Sequence, residues 1–385
     1  MSTTPPAERH GLPEIHLNPA WRPDAPFDAA AADMTGDDID RAVATITAWP
    51  DYRPTPLRSL PGLARRLGIG AVLCKDESAR FGAGGVKALG APYGLHRLIE
   101  ARRSPAAGAG IGHFTAIAAT DGNHGLALAW AAGRIGCHAR IFVGRDVDAG
   151  RLERIRSAGG EIEVVDGTYD DAVLAAERLA AADPLALLVT DTDYEGTLPV
   201  ARAIMAGYAV LAEEAWRDGL EDWPPPTHVF LHCGVGTMAA GIAAGLWRRM
   251  TPQTPRVVTV EPVTAACVLA SLKAGRPVRV DGDLRTRMAG LACGRPSRPA
   301  WNILARAAFA AMTVAERTAA TIQRELAVGI DGDSPLAGGD TGIAGIAGLV
   351  AAASDSDTRN RLALGPQSRV FVVNSEGPSP QPRRD

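Results

Sequence analysis

Short apolar runs alternate along most of this chain with longer stretches whose apolar residues recur at helical spacing. Apolar runs at 114–120, 139–143, 161–165, 185–190, 229–233, 256–260 and 369–373 predict strands. Helical periodicity over 126–135, 150–157, 169–182 and 238–249 predicts the helices between them. Strands separated by helices of about 10–15 residues argue for βαβ units and a parallel sheet. The rhythm breaks after 185–190 and resumes at 229, which predicts an α/β protein of two doubly wound domains with mainly parallel sheets. The boundaries read as a large domain, 37–88 with 186–376, enclosing a small one at 89–185. Residues 1–36 are rich in Pro, Ala and Asp and are expected to form an irregular arm. The Pro-rich end, 377–385, is expected to be disordered.

Composition narrows the classes. The 385 residues are 46% hydrophobic and 22% charged, with a formal net charge of −3, an ordinary globular balance. Near-neutral charge gives no reason to expect nucleic acid or an anionic membrane as partner. No run of about 18 apolar residues and no signal-peptide pattern occurs. Cys74, Cys137, Cys233, Cys267 and Cys293 are odd in number and scattered, without metal-ligand spacing. They argue against a disulfide framework and a metal site, and for a reducing cytoplasm.

Three segments carry candidate chemistry. Lys87 ends the run Gly82-Ala83-Gly84-Gly85-Val86-Lys87, where glycines leave room for a flat group beside an amine that can form a Schiff base with an aldehyde cofactor. Asp121-Gly122-Asn123-His124-Gly125 joins a strand to a helix, where free N–H groups and the helix dipole suit a carboxylate. Gly234-Val235-Gly236-Thr237 does the same after strand 229–233 and suits a phosphate. Each segment has an ordinary alternative. Lys87 could be a solvated charge, and 121–125 a capped turn. The glycines from 234 to 236, with Glu261 further on, also fit a loose dinucleotide fingerprint, so a nucleotide-dependent dehydrogenase competes. That reading leaves Lys87 without a task.

Taken together, these motifs resemble the diaminopropionate ammonia-lyases, pyridoxal-phosphate enzymes of the tryptophan synthase β-like fold (fold type II). The run Lys75-Asp76-Glu77-Ser78-Ala79-Arg80-Phe81-Gly82, the turn at 121–125, Asp191-Thr192-Asp193-Tyr194-Glu195-Gly196 and Met288-Ala289-Gly290-Leu291-Ala292-Cys293-Gly294 carry the resemblance in the family's order. It implies pyridoxal 5'-phosphate on Lys87, with Asn123 at the cofactor's phenolic oxygen. Gly234, Val235, Gly236 and Thr237 would stand at its phosphate and Ser375 at its pyridine nitrogen. It further implies catalytic roles for Lys87, Asp121 and Asp191, the two aspartates serving opposite enantiomers. Substrate contacts fall to Ser78, Asp121, Gly122, Asn123 and His124, and no metal is implied. This chain departs from the family at 83–86, at Thr197 and at Arg295, all close to where a substrate would lie.

The expectation is therefore α,β-elimination on a small β-substituted amino acid, with 2,3-diaminopropionate giving pyruvate and ammonia, by a cytoplasmic homodimer. A β-replacement synthase or a lyase for another β-substituted amino acid is the runner-up. A cofactor-binding regulator with a dead site is the alternative from outside enzymology.

Overall fold

The computed structural model describes residues 12–27, 34–102, 110–120, 122–145, 147–167, 169–195, 198–220 and 224–378. Eleven strands among these residues make two sheets. In chain order they are β1 (Ile15–Leu17), β2 (Leu57–Ser59), β3 (Ala71–Asp76), β4 (Thr115–Ala119), β5 (His138–Gly144), β6 (Glu161–Val165), β7 (Ala186–Leu188), β8 (His228–His232), β9 (Arg256–Pro262), β10 (Ala308–Val314) and β11 (Arg369–Asn374).

The larger sheet runs β1-β10-β9-β8-β11-β3-β2, parallel in its interior with an antiparallel strand at each edge. The smaller runs β6-β5-β4-β7 and is parallel throughout. Val229, Phe230, Val258, Val260, Phe371 and Val372 are all buried, as expected of parallel strands covered on both faces.

The N-terminal arm corrects an expectation. It is not wholly irregular, because Ile15–Leu17 pairs antiparallel with Met312, Ala311 and Ala310 and covers the edge of the large sheet. Asn18 then fastens the arm by donating to the carbonyls of Ala305 and Ala308, at 2.9 and 2.8 Å. β7 pairs with β4 and so joins the small sheet, although it lies past residue 185. Residues 1–11 and 379–385 lie outside the described residues.

The helix Pro199–Ala215 shows no clean polar face, because nearly every residue from Val200 to Ala215 is buried. It packs between the helices Lys87–Arg102 and Thr237–Met250, each of which meets it closely. It is thus the central post of the molecule, and the large sheet and the small one share one apolar core through it.

Candidate active site

Every segment expected to carry chemistry follows the C-terminal end of a parallel strand, where open α/β sheets bind their ligands. Lys87 lies past β3, Asn123 past β4, Asp191 past β7, the 234–237 turn past β8 and Ser375 past β11. They converge on one cleft of about 1570 Å³, lined by Lys87, Asn123, His124, Asp191, Gly234, Thr237 and Ser375 among others.

Lys87 is the first residue of its helix, and its amine meets the Asp191 carboxylate at 2.7 Å. Burial alone would push the lysine toward its neutral form. Asp191 and Tyr208 outweigh burial and raise its pKa. Burial pushes the Asp191 carboxyl up, but Lys87 and His124 hold it down, at about 2.

The segment leading to Lys87 is held by buried ions. The Arg80 guanidinium forks onto Glu77 at 2.8 Å and onto Glu214 at 2.8 and 2.7 Å. Lys75 joins Glu214 at 3.0 Å and Asp218 at 2.8 Å. Thus the Lys-Asp-Glu-Ser-x-Arg run, which in sequence looks like part of the cofactor motif, is largely the scaffold beneath it. Beyond Arg80 the chain turns through Phe81 (φ 51°) and Gly85 (φ 75°). A Cβ at Gly85 would stand 2.2 Å from the carbonyl oxygen of Ser375, so only glycine lets the lysine's loop touch the end of β11. The Val86 N–H donates to that same carbonyl at 2.8 Å.

Two helix N-termini open into the cleft without side-chain caps. The helix Asn123–Ile135 begins after Gly122, and its Asn123 amide donates to Glu376 across the gap between the sheets. His124 points inward and bonds the Val189 carbonyl at 2.8 Å. The helix Thr237–Met250 begins after Gly236 (φ 94°). A Cβ at Gly234 would crowd Cys293 Sγ at 2.9 Å, and one at Gly236 would meet Leu304 at 3.0 Å, so the turn must be bare backbone. Such a turn suits a phosphate.

Ser375 is buried and shares a 2.7 Å hydrogen bond with His232 Nε2, while the buried His232 Nδ1 has no partner among the described residues. Buried polar atoms without partners are rare and mark places where a ligand or water completes the bonding. Bare turn, orphaned ring nitrogen and cleft-facing amine together fit a phosphate-bearing aromatic aldehyde.

Several expectations change in detail. The Thr237 hydroxyl donates to the Asp191 carbonyl at 2.8 Å, so in this structure it ties the phosphate turn to the acid's loop. Ser78 does not line the cleft. Asp121, Gly196 and Thr197 lie outside the described residues. Arg295 does line the cleft, with its guanidinium 5.0 Å from the centroid of the Tyr194 ring.

Glu261, the acid of the competing dinucleotide reading, is fully buried, and its carboxylate accepts the N–H groups of Val268 and Leu269 at 2.7 Å each. It caps a helix and is unavailable to a ribose. Sequence reasoning missed Glu376, Asp193 and Tyr208. Asp193 is buried and accepts from Glu195 and Leu198, shaping the loop behind Asp191. Its place in an Asp-Thr-Asp run was the available signal.

Comparison with known proteins agrees with this geometry. Residues 48–376 match the family of pyridoxal-phosphate dependent enzymes, and the chain belongs to it. Within that family it is similar to the diaminopropionate ammonia-lyase of Salmonella typhimurium, 33% identical with 91% of each chain covered. It is likewise similar to that of Escherichia coli K12, 37% identical with 85% of each covered. A crystal structure of the Escherichia coli enzyme, in complex with an aminoacrylate-PLP azomethine reaction intermediate, superposes with a TM-score of 0.85 at 32% identity. That match covers 95% of this chain and 94% of the other. Among the described residues no group of His, Cys, Asp and Glu could hold a metal, and no helix is long and apolar enough to cross a membrane.

Proposed function

We propose that this protein is a pyridoxal-phosphate-dependent ammonia-lyase that converts 2,3-diaminopropionate to pyruvate and ammonia. The observation that carries the reading is the Lys87–Asp191 pair at 2.7 Å, set between two uncapped helix N-termini in one cleft. When bound, the cofactor supplies an electron sink that makes the α-proton of an amino acid acidic. Lys87 would hold it, the 234–237 turn would hold its phosphate, and Ser375 would hold its pyridine nitrogen. The turn at 122–124 receives the substrate carboxylate on N–H groups and helix dipole.

Asp191 is an ionised carboxylate beside Lys87 and would take the α-proton. Asp121 would serve the opposite face. Loss of the β-amino group leaves an unsaturated amine that water hydrolyses to pyruvate, releasing a second ammonia. Five unpaired cysteines support a reducing cytoplasm, and the homodimer rests on the family resemblance. Arg295 at the cleft favours one second reading, a lyase for a larger or anionic β-substituent, because a cation there repels a β-ammonium.

One assay decides between them. Purified protein with cofactor is offered 2,3-diaminopropionate, serine, O-acetylserine and threonine, with keto acid and ammonia measured. Fastest turnover of 2,3-diaminopropionate with two ammonia per pyruvate is expected. Preference for an acidic or bulkier substrate would overturn the substrate assignment. Borohydride reduction without an adduct on Lys87 would overturn the cofactor assignment.

A further inference from the structure

Tyr208 is fully buried at the centre of the helix Pro199–Ala215, outside the cleft wall and directly behind Lys87. The Lys87 amine lies 5.7 Å from the centroid of its ring. Its hydroxyl meets no partner at ordinary hydrogen-bond geometry among the described residues, but it stands close enough to Lys87 for a weaker hydrogen bond that favours the charged amine. A phenol so weakly paired in a core is unfavourable, and phenylalanine would fill the same space without that cost.

The fold has also made room for it. A Cβ at Gly90, one helical turn past Lys87, would meet Tyr208 Cζ at 2.6 Å. Lys87 and Asp191 both stand close enough to alter the acidity of the phenol, which burial pushes up to about 12, so it keeps its proton. Among the described residues the other ionisable groups with Lys87 in reach are Asp191, His124, His232 and Cys293.

We propose that Tyr208 is a positioning residue for Lys87, its ring face and hydroxyl holding the amine, together with Asp191, whenever the amine is not joined to the cofactor. The proposal rests on the reading of Lys87 given above. Ring and carboxylate approach the amine from different elements, so the pair fixes both the charge and the direction of Nζ. An amine held this way returns to one place in each turnover, and no contact with the substrate is required of Tyr208.

The test is Tyr208→Phe, which removes one oxygen and keeps the ring. In the cofactor-free protein, Lys87 should react about threefold faster with a small amine-reactive reagent near pH 8, because a lost partner of the ammonium lowers its pKa by about half a unit. In the loaded enzyme kcat should fall about tenfold with KM and cofactor affinity unchanged, as for one lost hydrogen bond to a charged group. The melting temperature should stay the same or rise. Wild-type labelling and wild-type kcat in a variant of unchanged or higher melting temperature would overturn the proposal and leave Tyr208 as packing. Lys87 labelling in the cofactor-free protein reads Tyr208 without any turnover, so failure of the lyase assignment is seen separately, in the wild-type assay.

Discussion

At the scale of single residues the site is governed by one proton. Lys87 holds it, because Asp191 and Tyr208 outweigh burial, yet an amine must lose it before attacking an aldehyde. On the proposed reading Asp191 serves turnover and slows cofactor capture. In Asp191→Asn the raised pKa of Lys87 should relax downward, and cofactor-free protein should take up pyridoxal phosphate about 3–10-fold faster at neutral pH. Turnover of the L-isomer should fall about 100-fold or more, while Asp121→Asn should chiefly impair the D-isomer. Stopped-flow absorbance and assays on each enantiomer check both halves. Slower capture by Asp191→Asn would refute the first, and equal losses on both isomers would make Lys87 the shared base.

At the scale of elements, the segment from β3 to the helix Lys87–Arg102 works as a braced strap. Arg80 forks to two buried carboxylates, and the Phe81 ring stacks on Trp130 at 5.1 Å. The brace is uneven in its energetics, since removing one member of a buried ion network strands the others. Arg80→Met leaves Glu77 without its cation and Glu214 with Lys75 alone, a loss of roughly 3–5 kcal/mol. The exposed pairs of Arg66 with Glu325 and Asp331 are screened by water, so Arg66→Ala should change stability little. Urea unfolding of the two variants measures the contrast. A small effect of Arg80→Met would show that the network is dispensable to the strap.

At the scale of the whole molecule, acid should act through buried neutral histidines. His228 bonds Thr227 and the Leu362 carbonyl, and burial lowers its pKa to about 4. Burial and Lys87 take His232 to about 3. A group whose folded pKa lies below its unfolded value near 6.5 keeps the folded state favoured above that value and withdraws this support as pH falls. Between about pH 6.5 and 4, each such histidine should remove roughly 1.4 kcal/mol per pH unit. Glu261 acts in the opposite sense, because burial raises its pKa to about 8 and its contribution is lost as pH rises. The test is therefore a difference. The stability of His228→Gln should depend on pH less steeply than the wild type by about one proton over that window. Parallel curves would place the acid sensitivity elsewhere.

The alternation of apolar runs with helical periodicity, read alone, located β6 and the helix Tyr169–Ala182 to the residue, because both are amphipathic or half-exposed and their pattern is local. The glycine-flanked lysine and the two strand-to-helix turns were legible for a similar reason, since bare backbone leaves marks in the sequence, whereas Asp191 was singled out only through the family resemblance. The helix Pro199–Ala215 was not, because burial on every side erases periodicity. β1 and β10 were missed too, one being very short and the other Ala-rich; β1 becomes a strand by pairing with β10, and β10 by lying between β1 and β9. Nor could the chain by itself show that Thr237 bonds the Asp191 carbonyl, that Glu261 is spent on a helix end, or that Tyr208 stands behind Lys87. Those contacts join residues 46 to 121 positions apart or, for Glu261, depend on which way a buried group faces, and only the packing of two sheets around one central helix brings them together.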